Sequence, residues 1–199
     1  MSVSPLTFAG LVALAAVQRL LELWHSRRNL RRQSEGAESA GSTWHWSALV
    51  AFQAAWLLGC GLEPLFRGRV AGPVPLATGG ALFLSGAALR VWCIRSLGAS
   101  WNARGRVDPA TRVVSTGPYR WIRHPNYLGV LLELVGLPLA GGAWITLAVM
   151  VVPHAWLLAR RMRAEDALLQ ALPGYTPAMA GKGALLPRIG RLHAARDEG

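Results

Sequence analysis

The sequence predicts an all-α, polytopic membrane protein with five transmembrane helices, the last two forming a C-terminal helical hairpin. Three observations carry this expectation. Of 199 residues, 52% are hydrophobic and only 16% charged, with a mean hydropathy of +0.30, a profile suited to a small integral membrane protein. Five apolar stretches punctuate the chain, and the basic residues gather between them on alternate sides.

The first stretch, Leu6 to Trp24, lacks a basic leader and a small-residue cleavage site, so it reads as a retained anchor. Trp46 to Leu65 and Val74 to Trp92 also reach the roughly 20 residues that span a bilayer. Ala77, Ala81 and Ser85 recur at four-residue spacing in the third stretch, a pattern that lets a neighbouring helix approach closely. The last two stretches, 126–140 and 144–158, are shorter and separated by Gly141, Gly142 and Ala143, which makes them a tight hairpin. Pro138 and Pro153 are expected to bend or end its helices. A further helix covers 160–172, and residues 33–42 and the tail beyond Arg191 are expected to lack fixed structure. The whole of 1–199 reads as one membrane domain.

Four Arg lie between the first two stretches, six between Arg95 and Arg123, and seven Arg and Lys follow Leu158. Only Arg67 and Arg69 lie on the other side, so the N-terminus is expected outside and the basic loops and C-terminus in the cytoplasm. The net charge of +11 therefore flanks membrane segments and does not form a nucleic-acid face. Membrane lipids are the expected neighbours, and the Arg-over-Lys and Ala/Gly bias points to a bacterial inner membrane. Arg19 and Arg90 sit near the cytoplasmic ends of their stretches, where long side chains snorkel. Trp24, Trp44, Trp46, Trp92 and Trp144 mark the borders as an aromatic belt. Cys60 and Cys93 have neither disulfide nor zinc spacing and are read as buried thiols, and no metal is expected.

The most informative segment is Gly117 to Tyr127, GPYRWIRHPNY, which runs straight into the fourth apolar stretch. Pro125 is preorganised for the first turn, making His124 the expected N-cap with Asn126 and Tyr127 just inside. Free backbone N–H groups and the helix dipole face any polar ligand there. Hairpin closure brings this loop, 96–127, to the helix after Leu158, where Arg161 and Glu165 share a face at i, i+4. Read alone, that pair is a solvated ion pair. His154 beside Pro153 reads first as a hydrogen-bonded kink residue, and Gln53 as an interhelical bonding group.

TGPYRWIRHPNYLG followed by an apolar hairpin and then Arg161, Glu165, Asp166 and Gly174 resembles the isoprenylcysteine carboxyl methyltransferase family, over about Thr111 to Pro187. The resemblance implies methyl transfer from S-adenosyl-L-methionine, bound from the cytosol, to a lipophilic small-molecule acceptor entering from the bilayer. It implies a cofactor cradle of Val113, Val114, Tyr119, His124, Pro125, Asn126 and Tyr127, with Glu165 contacting the cofactor and Arg161 on the acceptor side. Arg161 and Glu165 are the expected catalytic pair. The residue types suit the chemistry independently. The donor presents an ammonium, a carboxylate, ribose hydroxyls and an adenine, and this loop offers donors, an acid and the aromatic Tyr119, Trp121 and Tyr127. The family's run of acids and later aromatic residues is reduced here to Glu165, Asp166 and Tyr175, leaving the acceptor open between a prenylcysteine-like carboxylate and a lipidic phenol or enol. Three alternatives stay open: an NADPH-dependent sterol-type reductase, a phospholipid N-methyltransferase, and a non-catalytic membrane scaffold.

Overall fold

The computed structural model describes residues 3–34, 36–41 and 43–188, with the side chains of 43 and 44 outside that description. Trp44, His193 and the tail beyond Arg191 therefore lie outside the described side chains. The chain is mostly helical. Helix α1 spans Pro5–Leu30 and starts on Ser4, whose Oγ accepts from the Thr7 N–H at 3.1 Å, with Pro5 in the first turn. Helix α2 is Thr43–Phe66 and α3 is Pro73–Leu97, again opened by Pro. Helix α4 is Pro125–Gly141, ended by the left-handed Gly142, and α5 is Trp144–Gln170. A short α6, Tyr175–Met179, follows.

Among the described residues four helices, α1, α2, α3 and α5, are long and apolar enough to cross a membrane, so this is an all-α, multi-pass membrane protein. The expected count of five is not met. Helix α4 has 17 residues, about 26 Å of helix against a hydrocarbon core of about 30 Å. Helix α5 corrects the expectation in the other direction: the apolar segment 144–158 and the polar helix 160–172 are one 27-residue helix that runs through Pro153. Hydropathy ends at Leu158, but nothing there stops the backbone ladder.

Helices α3 and α4 touch backbone to backbone. A Cβ on Gly86 would lie 2.6 Å from the Gly129 carbonyl, one on Gly136 would lie 2.5 Å from the Phe83 nitrogen, and Gly79 abuts Ala140 in the same way. Gly79 and Gly86 are seven residues apart on α3, as are Gly129 and Gly136 on α4, so each pair lies on one face. The Ala77, Ala81, Ser85 stripe that the sequence favoured lies on the exposed side of α3. Shape selects the glycine face because only glycine permits this approach.

Arg19 and Arg90 do not snorkel. They turn inward and share Glu22 of α1 and Glu133 of α4: Arg19 Nη1 donates to Glu22 at 2.8 Å, Arg90 Nε lies 3.4 Å from Glu133, and Arg19–Glu133 and Arg90–Glu22 close the set. Two cations and two anions thereby tie α1, α3 and α4 together inside the bundle. At the opposite end Glu63 of α2 caps α5, accepting from the Ile145 and Thr146 N–H groups at 3.0 and 2.9 Å. Phe8, Val12, Trp56, Cys60, Leu134 and Leu137 fill the space between, and both cysteines are buried and free.

The loop-bearing end is sewn down by α1. Asn29 Nδ2 donates to the carbonyls of Gly98 at 3.1 Å and Trp101 at 2.7 Å, and Ser26 Oγ accepts from the Ala103 N–H at 2.8 Å. Part of the segment expected to be unstructured is a strand: β1, Glu38–Ser39, pairs antiparallel with β2, Arg106–Val107. Asp108 holds the same join, accepting from Ser34 N and Oγ at 2.8 and 2.9 Å and from Ala110 N at 2.9 Å. These donors keep the Asp108 carboxyl below the usual carboxylate range.

Candidate active site

A cavity of about 470 Å³ runs from the loop-bearing end into the bundle, within the usual range for small-molecule sites. One face of α5 lays out its length: His154, Leu158, Arg161, Glu165 and Leu169, spaced by four, three, four and four residues. Helices α1 and α2 close the deep part with Leu20, Leu49 and Val50, which makes that lobe largely apolar. Residues 100–103, 105–107 and 111–114 cover the upper part.

At the waist, Tyr127 Oη donates to Glu165 Oε2 at 2.5 Å. Arg161 Nη2 donates to the Ala103 carbonyl at 2.5 Å, and its guanidinium packs 5.9 Å from the ring centres of both Trp46 and Tyr127. The expected Arg161–Glu165 ion pair is absent among the described residues, because each side chain has a different partner. Gly105 lies directly against both. With φ at +64°, it would set a Cβ 3.1 Å from Arg161 Nη2 and 3.1 Å from Glu165 Oε2. Asn102 forms the turn that carries Gly105, accepting from the Arg106 N–H and donating to its carbonyl, both at 2.8 Å.

A second set of bonds orders the start of α4. His124 occupies the N-cap position as expected, but its side chain makes no cap bond; Nε2 sits 3.1 Å from Asp166 Oδ1. Arg123 and Tyr175 bond the same carboxylate, at 2.7 and 3.2 Å. The His124 backbone N–H donates to Ala184 O at 2.9 Å, and Arg123 N to Gly183 O at 2.9 Å, so the chain beyond α6 braces the loop. Lys182 Nζ donates to the Tyr119 carbonyl at 2.8 Å. Burial pushes the Tyr119 phenol well above its ordinary pKa, with the Cys93 thiol and Glu165 adding to the shift, and burial does the same to Tyr175 beside Asp166. Both stay protonated donors.

Val113, Val114, Tyr119, His124, Asn126, Tyr127, Arg161 and Glu165 all line the cavity. Pro125 does not; it is fully buried at the helix start, where it shapes the turn. Trp121 is turned outward, 46% exposed and edge-on to Trp92, so it is not an aromatic wall of this cavity. That role falls to Trp46 and Trp101. The sequence signalled Trp46 only as a membrane-border residue, and Asp166 only as part of a motif. Among the described residues, four lining side chains carry buried polar atoms without a partner: Asn126 Oδ1, Arg123 Nε, Arg161 Nε and His154 Nδ1. Such atoms are uncommon in folded proteins and collect where ligands bind.

Residues 79–171 match the sequence profile of the isoprenylcysteine carboxyl methyltransferase family. Over 161 residues, the chain is 34% identical to the uncharacterized protein YpbQ of Bacillus subtilis (strain 168), covering 80% of this chain and 95% of that protein. Among solved structures it is similar to the eukaryotic intramembrane Ras methyltransferase, an isoprenylcysteine carboxyl methyltransferase. That likeness has a TM-score of 0.51 at 17% identity and covers 72% of this chain, which spans about half (53%) of the eukaryotic protein. At that identity the likeness is one of fold.

Proposed function

The chain belongs to the isoprenylcysteine carboxyl methyltransferase family, and on that premise we propose that it is an S-adenosyl-L-methionine-dependent O-methyltransferase acting on a lipophilic acceptor. The observation that carries the reading is the cavity itself, polar and donor-rich at the loop end, apolar between α1 and α2, and continuous past Arg161 and Glu165. The residues present fit such a donor. Glu165 and the orphaned Asn126 Oδ1 can accept from an ammonium or ribose hydroxyls, Arg123 offers a donor for a carboxylate, and Val113, Val114, Tyr119 and Trp101 supply a slot for a flat base. We assign the loop end to the cytosol, with the N-terminus outside, and treat the whole chain as one methyltransferase domain.

When bound, S-adenosyl-L-methionine supplies an electrophilic methyl group on a sulfonium. The chain's own work is alignment and exclusion of water. Arg161, pinned by the Ala103 carbonyl and stacked between Trp46 and Tyr127, keeps N–H groups free to hold an anionic acceptor oxygen. A carboxylate or an acidic enol arrives ionised and needs no general base; for a phenol, Glu165 is placed to take the proton. The same cation disfavours a protonated amine, which places N-methylation second.

The test is incubation of membranes carrying the protein with methyl-labelled S-adenosyl-L-methionine and a panel of prenylcysteines, fatty carboxylates and lipidic phenols and enols. Label in one lipid class is expected; base-labile label marks an ester and stable label an ether. Thermal stabilisation of the purified protein by NADPH, with none by S-adenosylhomocysteine, would defeat the proposal.

A further inference from the structure

The deep lobe of the cavity holds two polar side chains that form no hydrogen bond among the described residues. His154 of α5 is 2% exposed, and no hydrogen bond to its ring is formed among the described residues. The expected kink bond is absent although Pro153 precedes it in the helix. Gln53 of α2, half-buried, lines the same lobe, and no hydrogen bond to its amide is formed among the described residues. Both sit near the middle of helices long enough to cross the membrane, where an unmet polar group costs most.

Three features define what these groups can take. The neighbouring charges of Arg19, Glu22, Arg90 and Glu133 are two of each sign and are ion-paired with one another, so this lobe offers no net charge for an ionic ligand. A neutral imidazole supplies one N–H donor and one acceptor nitrogen, and a carboxamide supplies an NH2 donor group and a carbonyl acceptor, a set that matches a carbonyl or a hydroxyl. Position supplies the third: His154 lies seven residues before Arg161 on the same cavity-lining face, about 10 Å along the axis.

We propose that the deep lobe binds an acceptor bearing a second, uncharged oxygen, a carbonyl or hydroxyl about 10 Å along its chain from the methylated atom, held by His154 and Gln53. Gln53 offers an amide N–H to that oxygen, and His154 donates its ring N–H to a carbonyl or accepts from a hydroxyl. A plain prenyl or alkyl tail fills the lobe but leaves both groups unpaired, so the lobe selects against it. The inference rests on the methyltransferase reading only for which end of the acceptor reacts; the pairing at His154 and Gln53 is a property of the lobe.

The experiment measures binding of a hexadecanoate and a series of its oxo derivatives, the oxo group stepped along the chain, to purified full-length protein in lipid nanodiscs with S-adenosylhomocysteine present. The oxo derivative with its carbonyl near mid-chain is expected to bind about fivefold to tenfold tighter than hexadecanoate, the worth of one or two buried hydrogen bonds. His154→Phe and Gln53→Leu should each reduce that preference to within twofold while hexadecanoate itself binds as well or better. Stabilisation by S-adenosylhomocysteine, measured in parallel, should be unchanged in both variants and reports that they fold. No preference at any oxo position in the wild type, or a preference that survives in His154→Phe and Gln53→Leu, overturns the inference. If the preference holds but S-adenosylhomocysteine neither binds nor stabilises, the lobe assignment stands and the methyltransferase reading fails.

Discussion

Gly105→Ala isolates what the loop 103–105 does for the site. Two costs attach to the substitution. The first is conformational: φ is +64°, where an L side chain adds about 1–2 kcal/mol. The second is specific to this place, because the new methyl would sit 3.1 Å from both Arg161 Nη2 and Glu165 Oε2, tight enough to move each by tenths of an ångström. Gly68→Ala separates them. Gly68 has the same φ of +64° and nothing within 4 Å of the added Cβ, so it carries the first cost alone. Both variants should therefore lose about 1–2 kcal/mol of stability by denaturation in detergent. Only Gly105→Ala should lose methyl transfer, by on the order of tenfold in kcat/KM, since small misplacements of aligning groups are costly. Equal activity in the two variants would refute the claim that Arg161 and Glu165 must be held where the loop holds them.

Other outcomes follow from the same geometry. Removing one member of the buried charge set, as in Glu133→Ala, should destabilise by about 3–5 kcal/mol, whereas the paired change Arg19→Met with Glu133→Leu should recover most of it; thermal unfolding of both in one detergent decides. Arg161→Lys keeps the charge but loses the flat contact with Trp46 and Tyr127, so acceptor KM should rise about tenfold or more while S-adenosylhomocysteine binding stays within twofold. Asp108 has its carboxyl held below the ordinary value, so its hold on Ser34 and Ala110 is present above about pH 4 and fades as pH falls below that. Exchange protection at those two amides should drop on acidification in the wild type, and in Asp108→Asn it should be low and flat with pH.

The parts legible in the sequence are those governed by local rules. Pro5, Pro73 and Pro125 mark helix starts, and the short hairpin turn at Gly142 and Ala143 forces the loop before α4 to meet the polar end of α5. Tyr127 and Glu165, 38 residues apart, meet for that reason. What stayed hidden depends on partners far along the chain. Arg19 looks like a snorkelling residue until Glu133, 114 positions later, is beside it. The glycine and alanine faces of α3 have equally regular spacing, and only Gly129 and Gly136 on α4 select between them. Hydropathy cannot show that α5 continues as one helix beyond Leu158, because helix continuity follows from backbone bonding and propensity. Trp46 is a membrane-border residue by position, and only the tertiary fold sets it against Arg161.

The most direct measurement is transfer of label from methyl-labelled S-adenosyl-L-methionine to lipid in membranes containing the wild-type protein or Glu165→Ala. The account predicts a labelled lipid product with the wild type and its loss, with at least tenfold weaker S-adenosylhomocysteine binding, in Glu165→Ala. Undiminished labelling and binding in Glu165→Ala, or no labelled lipid alongside stabilisation by NADPH, would contradict it.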